Sequence, residues 1–140
     1  MISEDQRTIL IADDDEDDCF LAKEALESGG ATAAFIMVED GIELMNFLLQ
    51  VSRSNPNRLP DLILLDLNMP RKDGREALLE IKAEPALQHI PIVILTTSQE
   101  EEDISFTIEA GADLFMTKPA TFDKWVEMMK FLSGRWLGGA

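Results

Sequence analysis

The sequence is poor in the residues that form covalent cross-links and bind nucleic acids. It has one cysteine, Cys19, so no disulfide can form within the chain, and a reducing compartment such as the cytoplasm is expected. The sequence has only 12 Lys and Arg residues but 27 Asp and Glu residues, which gives a formal net charge of -15. Such a charge repels the phosphates of DNA and RNA, so direct nucleic-acid binding is not expected.

Long apolar runs are also lacking. None approaches the roughly 18 residues that a membrane-spanning helix requires. The apolar part of the N-terminal stretch "MISEDQRTILIA" is too short for a signal peptide. With 46% hydrophobic residues over 140 positions, the chain is expected to fold as one domain, residues 1–140, without a second effector domain.

Short apolar runs alternate with segments of helical spacing. Five runs rich in Ile, Leu and Val are each typical of a buried strand, and they cover 8–12, 33–38, 61–67, 90–96 and 112–117. Strict alternation predicts an α/β fold, a three-layer sandwich in which helices cover both faces of a parallel sheet. The stretch "VSRSNPNRLPD", 51–61, is expected to be a loop.

Polar side chains follow four of these strands. They are Asp13 and Asp14, then Asp66, Thr96 and Lys118. The carboxyl ends of parallel strands share one edge, where ligands bind in such sheets. Three clustered carboxylates require a counter-charge, and Mg²⁺, which prefers oxygen ligands and can share a phosphate, suits them best. The pattern predicts phosphoryl transfer onto a carboxylate, with Asp66 as the nucleophile.

These motifs together resemble the receiver domain of bacterial two-component response regulators. The resemblance runs from Thr8 to Trp136 and rests on the acidic pair at 13–14, "LLDLNMPRKDG" (64–74), "LTTS" (95–98) and "TKPA" (117–120). It implies a flavodoxin-like (βα)5 fold, a doubly wound parallel sheet with strand order 2-1-3-4-5. A sensor histidine kinase is the implied partner, and the implied chemistry is limited to the protein's own phosphorylation and dephosphorylation.

The resemblance also implies roles for individual residues around the metal. Asp66 would accept the phosphoryl group. Asp14, Asp66 and the backbone carbonyl of Asn68 would ligate Mg²⁺, with Asp13 acting through water.

Further implied roles concern the phosphoryl group and the switch. Thr96 and Lys118 would bind the phosphoryl oxygens, and the peptide bond before Pro119 would be cis. Thr96 and the aromatic Phe115 would form the conformational switch. Asn68 and Ser98 occupy positions that tune phosphoaspartate hydrolysis.

Three features are similar to the stand-alone regulators of bacterial phytochromes: the 51–61 loop, the run "LNMPRKDGREALLEIK" at 67–82 and a long C-terminal helix ending in "GRWLGGA". A bacterial phytochrome is therefore the candidate kinase. A chemotaxis or phosphorelay role stays open.

A different class, the metal-dependent phosphohydrolases of haloacid-dehalogenase type, also uses an Asp nucleophile with Mg²⁺. Those enzymes usually carry a second Asp two residues later, where this sequence has Asn68, and the chain offers no cap domain. Turnover of small phosphomonoesters separates the two classes.

The acids of "DDDEDD" beyond the pair at 13–14 have a simpler interpretation. Asp15 to Asp18 are expected to form the N-cap and first turn of helix one, where acids complement the helix dipole. A calcium-binding loop starting at Asp13 is disfavoured, because Asp18 stands where the sharp turn requires Gly and a strand precedes the loop.

The C-terminal helix carries two apolar stripes. The stripe expected to close the core is Phe122, Val126 and Met129. A second stripe, expected to be partly exposed, is Trp125, Met128, Leu132 and Trp136. Exposed apolar area of this kind marks contact surfaces, and the resemblance to phytochrome regulators points the same way. We expect a two-fold homodimer with Trp125, Leu132 and Trp136 in the contact.

Overall fold

The computed structural model describes residues 6–138. Its strands are Thr8–Ala12 (β1), Ala34–Val38 (β2), Leu62–Leu65 (β3), Ile92–Thr96 (β4) and Leu114–Thr117 (β5). They form a parallel sheet in the order β2-β1-β3-β4-β5, which confirms the predicted flavodoxin-like order. The central strands β1, β3 and β4 are buried along their whole length because helices cover both faces.

Five α-helices alternate with the strands as predicted. They are Glu16–Ser28 (α1), Gly41–Ser54 (α2), Gly74–Ala83 (α3), Glu101–Glu109 (α4) and Phe122–Trp136 (α5). On one face of the sheet, α2 and α3 pack on an apolar core, the α2/α3 core, which includes Leu44, Leu48, Leu78, Ile81, Ile63 and Ile94. On the other face, α1 and α5 pack on the α1/α5 core, which includes Ala22, Leu26, Leu64, Val93, Trp125 and Met129.

Side-chain caps fix where four of the helices begin. Asp15 caps α1, Asp40 caps α2, Asp73 caps α3 and Thr121 caps α5, each by accepting hydrogen bonds from backbone N–H groups of the first turn. The predicted cap and first turn at 15–18 are therefore confirmed. Each cap follows the carboxyl end of a strand in the chain, so helix starts and strand ends meet at one edge of the sheet.

The predicted loop at 51–61 is wrong in its first half. Helix α2 continues to Ser54, and a 3-10 turn follows over Pro56–Arg58. The Ser52 hydroxyl donates a hydrogen bond to the Leu49 carbonyl, and the Ser54 hydroxyl donates one to the Gln50 carbonyl. The hydroxyls of both serines therefore find their partners within the helix.

The stripes of α5 are also assigned wrongly by the sequence. Trp125 and Leu132 are 2% and 0% exposed and belong to the α1/α5 core, whereas Phe122 is 40% exposed. Trp136 is half-buried and packs against the same core. The helix turns its 125, 129 and 132 positions to the sheet, so Trp125 and Leu132, both expected in a dimer contact, pack inside their own domain. Met129 is buried and Trp136 is partly exposed, as expected.

Over residues 6–138, no helix combines the length and the apolar character that crossing a bilayer demands.

Candidate functional site

The edge formed by the carboxyl ends of the strands brings together the residues singled out in the sequence. Asp13 follows β1, Asp66 follows β3, Thr96 ends β4 and Lys118 follows β5. Asp13 and Asp66 are 2% and 6% exposed, and Thr96 is fully buried. A cluster of buried polar groups at the end of a parallel sheet is a binding site and not a part of the apolar core.

Three carboxylates converge at this edge. One oxygen each of Asp13, Asp14 and Asp66 lies within 4.8 Å of the other two. Asp14 is exposed to solvent while the other two are buried, so the cluster opens outward on the Asp14 side. The set consists of hard oxygen donors with a free approach from water, which fits a divalent cation such as Mg²⁺.

The Lys118 ammonium lies among these acids. Its Nζ is 2.7 Å from Asp13 Oδ2 and 3.3 Å from Asp66 Oδ2, and its side chain is only 8% exposed. Lys118 is held by its backbone as well, because its N–H donates to the Thr96 carbonyl at 2.9 Å and extends the pairing of β4 with β5. The Lys118 ammonium is therefore fixed beside Asp66.

Charge in the cluster is only partly compensated. Burial, together with the charge of Asp66, raises the pKa of Asp13 to about 6, although hydrogen bonds from Lys118 and the Asp15 N–H act in the opposite direction. Burial alone would lower the pKa of Lys118, but its hydrogen bonds to Asp13 and Asp18 outweigh this effect and raise it. A second positive charge would therefore be favourable at this edge, which agrees with a metal site.

Asp66 is positioned by close backbone packing. Its N–H donates to the Ala12 carbonyl, and its Oδ1 accepts from the Asn68 N–H at 3.3 Å. Gly74 begins α3 directly against this segment, where a Cβ would overlap the Asp66 carbonyl oxygen. Glycine at 74 therefore allows α3 to start close to Asp66.

The remainder of the loop that follows Asp66 is attached to α2. Arg71 takes a left-handed conformation, with φ 68°, and its guanidinium lies 3.4 Å from Asp40. The Gly41 N–H donates to the Lys72 carbonyl at 3.0 Å. These contacts hold residues 71 and 72 beside the site, with the Arg71 side chain exposed and the Lys72 ammonium paired with Glu80.

Thr96 and Phe115, the residues expected to form the switch, lie on neighbouring strands. The Thr96 hydroxyl accepts from the Ser98 N–H at 3.5 Å. Phe115, in β5, is half-buried and packs against the α2/α3 core. Ser98 does not turn its hydroxyl toward Asp66 but donates it to Asp103 at 2.6 Å.

The predicted cis bond before Pro119 is wrong. The structure has no cis peptide bond over residues 6–138, so Lys118 and Pro119 are joined in trans. Trans is the lower-energy form of an X–Pro bond, and in this form Lys118 already reaches the acids.

Cys19 and His89 take no part in the site. Cys19 is buried beneath it, and burial together with the Asp13 charge raises the pKa of its thiol to about 12, so the thiol stays protonated. His89 is exposed and follows α3, outside the site.

One site residue was missed by sequence reasoning. Asp18, interpreted only as part of the first turn of α1, places its Oδ2 2.8 Å from Lys118 Nζ. The sequence carried no signal for it, because the strand ends already offered three carboxylates to the three N–H groups of the ammonium.

Comparisons with known proteins agree with this geometry. The family model described as response regulator receiver domain matches residues 9–130. Response regulator Rcp1 from Synechocystis sp. is 37% identical over 131 residues, which cover 94% of this chain and 89% of Rcp1.

Two solved structures are similar along nearly their whole length. The phosphorylated cyanobacterial phytochrome response regulator RcpA has a TM-score of 0.86 at 37% identity, with 96% of both chains covered. The Mn²⁺-bound form of Rcp1 has a TM-score of 0.83 at 36% identity, again with 96% of both chains covered.

Proposed function

Because the chain belongs to the response regulator receiver domain family, we propose that it accepts a phosphoryl group on Asp66 from a sensor histidine kinase. The observation that carries this proposal is the position of the Lys118 ammonium, 3.3 Å from Asp66 and 2.7 Å from Asp13, at the edge where the three carboxylates converge. A buried cation beside a carboxylate nucleophile favours transfer of an anionic group to it.

The transfer forms one bond and breaks one. An Asp66 oxygen attacks the phosphorus of the kinase phosphohistidine, the P–N bond breaks, and the imidazole leaves and takes up a proton. Lys118 neutralises charge on the phosphoryl oxygens, and the Thr96 hydroxyl donates to one of them. The product is an acyl phosphate on Asp66, whose energy can drive a change in the chain's conformation.

The cation of this site is proposed to be Mg²⁺. Asp14, Asp66 and the Asn68 carbonyl would hold it, and Asp13 would act through water. When bound, it would neutralise charge that develops on the transferred group. Support comes from the three converging carboxylates and from the crystal structure of the relative Rcp1 in its Mn²⁺-bound form.

The partner is proposed to be a phytochrome kinase acting in the cytoplasm. Support comes from RcpA, a cyanobacterial phytochrome response regulator that matches over 96% of both chains. Because the match to Rcp1 spans 89% of that protein, we propose that signalling proceeds by docking and does not require an attached output domain.

Transfer of label from kinases tests the proposal. Candidate autophosphorylated phytochrome kinases are incubated with the chain, and the label is expected to move to Asp66 with Mg²⁺ and to stay on the kinase with EDTA. In parallel, the chain is incubated with acetyl phosphate and small phosphomonoesters. Self-labelling without repeated phosphate release from the monoesters is expected, whereas sustained turnover of monoesters would identify a phosphohydrolase.

A further inference from the structure

Lys118 has a carboxylate neighbour whose role the proposed chemistry leaves open. Asp18 Oδ2 lies 2.8 Å from Lys118 Nζ, although the two residues are 100 positions apart in the chain. The Asp18 side chain is 22% exposed, in contrast to the exposed acids Glu16 and Asp17 beside it. Asp18 therefore faces the site and not the solvent.

The start of α1 fixes Asp18 in this place. The Asp15 carboxylate accepts hydrogen bonds from the N–H groups of Asp17 and Asp18, at 3.0 and 3.2 Å. Helical side chains tilt toward the N-terminus of their helix. The cap at Asp15 thus fixes the first turn of α1. From this turn the Asp18 carboxylate points back toward Lys118, the residue that follows β5.

A count of donors shows why this contact matters. The ammonium has three N–H groups, and three carboxylates surround it, with distances of 2.7 Å to Asp13, 2.8 Å to Asp18 and 3.3 Å to Asp66. A phosphoryl oxygen on Asp66 can reach Lys118 only by replacing one of these partners. The longest contact, to Asp66, is the weakest and the first to be replaced.

The other two contacts differ in what else their partners must do. Asp13 belongs to the carboxylate cluster proposed to hold the metal, so its charge is shared with the cation. Asp18 is neither the acceptor nor a member of that cluster. It can therefore hold the ammonium in the same place before and after metal and phosphoryl groups arrive.

We propose that Asp18 is a positioning residue that anchors the Lys118 ammonium with one N–H directed at Asp66 and keeps it from moving between Asp13 and Asp66. This inference rests on the proposed function in assigning Lys118 to the phosphoryl group. The anchoring contact itself exists in the protein before any metal or phosphodonor binds.

The first experiment observes the ammonium in metal-free protein. NMR of protein with ¹⁵N-labelled lysine should give a Lys118 ammonium signal that persists because its protons are protected from water. Asp18→Asn should remove the signal, Asp18→Glu should restore part of it, and Asp17→Asn should leave it unchanged. The last variant removes the same charge one residue away without touching Lys118. A signal that survives in Asp18→Asn would overturn the anchoring role.

The second experiment measures the labelling rate with phosphoramidate and Mg²⁺. Loss of one charge-assisted hydrogen bond on Lys118 should slow labelling of Asp18→Asn by roughly tenfold. Asp18→Glu should recover part of the rate, and Asp17→Asn should stay close to wild type. If Asp17→Asn and Asp18→Asn slow labelling equally, the slower rate results from the loss of a nearby negative charge and not from the contact with Lys118, and the proposal is overturned.

The two readouts separate this inference from the proposed function. If wild-type protein does not become labelled, Asp66 is not the phosphoryl acceptor and the proposed function is wrong. The NMR comparison still decides whether Asp18 anchors Lys118. If wild-type and Asp18→Asn proteins become labelled at the same rate, the positioning role fails and the function stands.

Discussion

Arg75 and Asp103 form an ion pair that joins the start of α3 to the first turn of α4. Arg75 Nε and Nη2 lie 2.9 and 2.8 Å from Asp103 Oδ1, and the Ser98 hydroxyl donates to Oδ2 at 2.6 Å. Asp103 is 7% exposed. The loop after Thr96 is thereby connected, through Ser98 and Asp103, to the helix that follows the acceptor Asp66.

This connection should make stability depend on pH. The hydrogen bond from Ser98, with Arg75, holds the pKa of Asp103 below its ordinary value despite burial. A carboxyl whose pKa is lower in the folded state stabilises the fold above its unfolded pKa, near 3.8, and this contribution is lost as pH falls through the folded pKa. Asp103→Asn should therefore lower the free energy of unfolding at about pH 7 by about 1–2 kcal/mol, and by less at about pH 3.

Urea unfolding at the two pH values measures this difference. Glu102→Gln is the matched control, because it removes an exposed charge from the same first turn of α4. An Asp103→Asn protein as stable as the control at about pH 7 would show that the ion pair contributes nothing net.

Metal binding should stabilise the fold, and acid should oppose it. Mg²⁺ that binds only the folded chain raises the melting temperature by mass action. Since the pKa of Asp13 is raised to about 6, a proton competes with the cation there, and the Mg²⁺-induced rise should be smaller at about pH 5 than at about pH 7.5. In the metal-free protein, acid favours the fold through Asp13. The contribution of this raised pKa to stability is full below about pH 3.8 and is lost as the pH rises through about 6.

Melting curves with and without millimolar Mg²⁺ test both statements. Asp14→Ala should abolish most of the Mg²⁺-induced rise, whereas Glu109→Ala, at the far end of α4, should retain it. Coincident wild-type curves with and without Mg²⁺ at about pH 7.5 would rule out the metal site.

Thr96 should transmit the phosphorylated state to Phe115. Thr96 is fully buried at the end of β4, and Phe115 is half-buried on neighbouring β5. Movement of the Thr96 hydroxyl toward a phosphoryl group should leave space into which the ring turns. Thr96→Ala should still become labelled but lose most of the Phe115 response in ¹⁹F spectra, while Thr96→Ser, which keeps the hydroxyl, should respond. Equal spectral changes in the Ala and Ser variants would contradict this coupling.

The packing of α5 changes what its tryptophans are expected to do. Trp125→Ala removes a large side chain from the α1/α5 core and should cost about 3–5 kcal/mol of stability. Trp136→Glu should also destabilise the fold, because this ring packs on the same core and lies 4.8 Å from the Arg135 guanidinium carbon. Homodimerisation itself stays a prediction, now without the buried Trp125 and Leu132 in its contact.

Sedimentation velocity at tens of micromolar, combined with thermal unfolding, checks the packing of α5. We expect Trp136→Glu to melt earlier than wild type and to keep the wild-type oligomeric state. A Trp136→Glu protein of undiminished stability that sediments at a lower mass would restore Trp136 to a contact between subunits.

Much of the fold could be predicted because its signals are local. The buried strands are continuous apolar runs, and the acids from Asp15 to Asp18 stand at the start of α1. The face of α5 could not be predicted, because apolar residues at 122, 126 and 129 compete with those at 125, 129 and 132. Which set faces the sheet depends on the direction in which the chain leaves β5, and that is a tertiary property.

The residues of the site also include some that could be predicted from the sequence and one that could not. Asp13, Asp14, Asp66, Thr96 and Lys118 could be found because each directly follows or ends a strand, so topology alone brings them together. Asp18 could not, because its place depends on how α1 begins and on the reach of a lysine 100 residues away.

Phosphorylation of wild-type and Asp66→Asn proteins by phosphoramidate with Mg²⁺ tests the central claim most directly. Intact-mass measurement should show one added phosphoryl group on wild type and on Asp123→Asn, a control that removes an exposed carboxylate from the first turn of α5. It should show none on Asp66→Asn, since an amide is a poor nucleophile and the near-isosteric change leaves the fold intact. A folded Asp66→Asn protein that becomes labelled as fast as wild type would contradict the assignment of Asp66 as the acceptor.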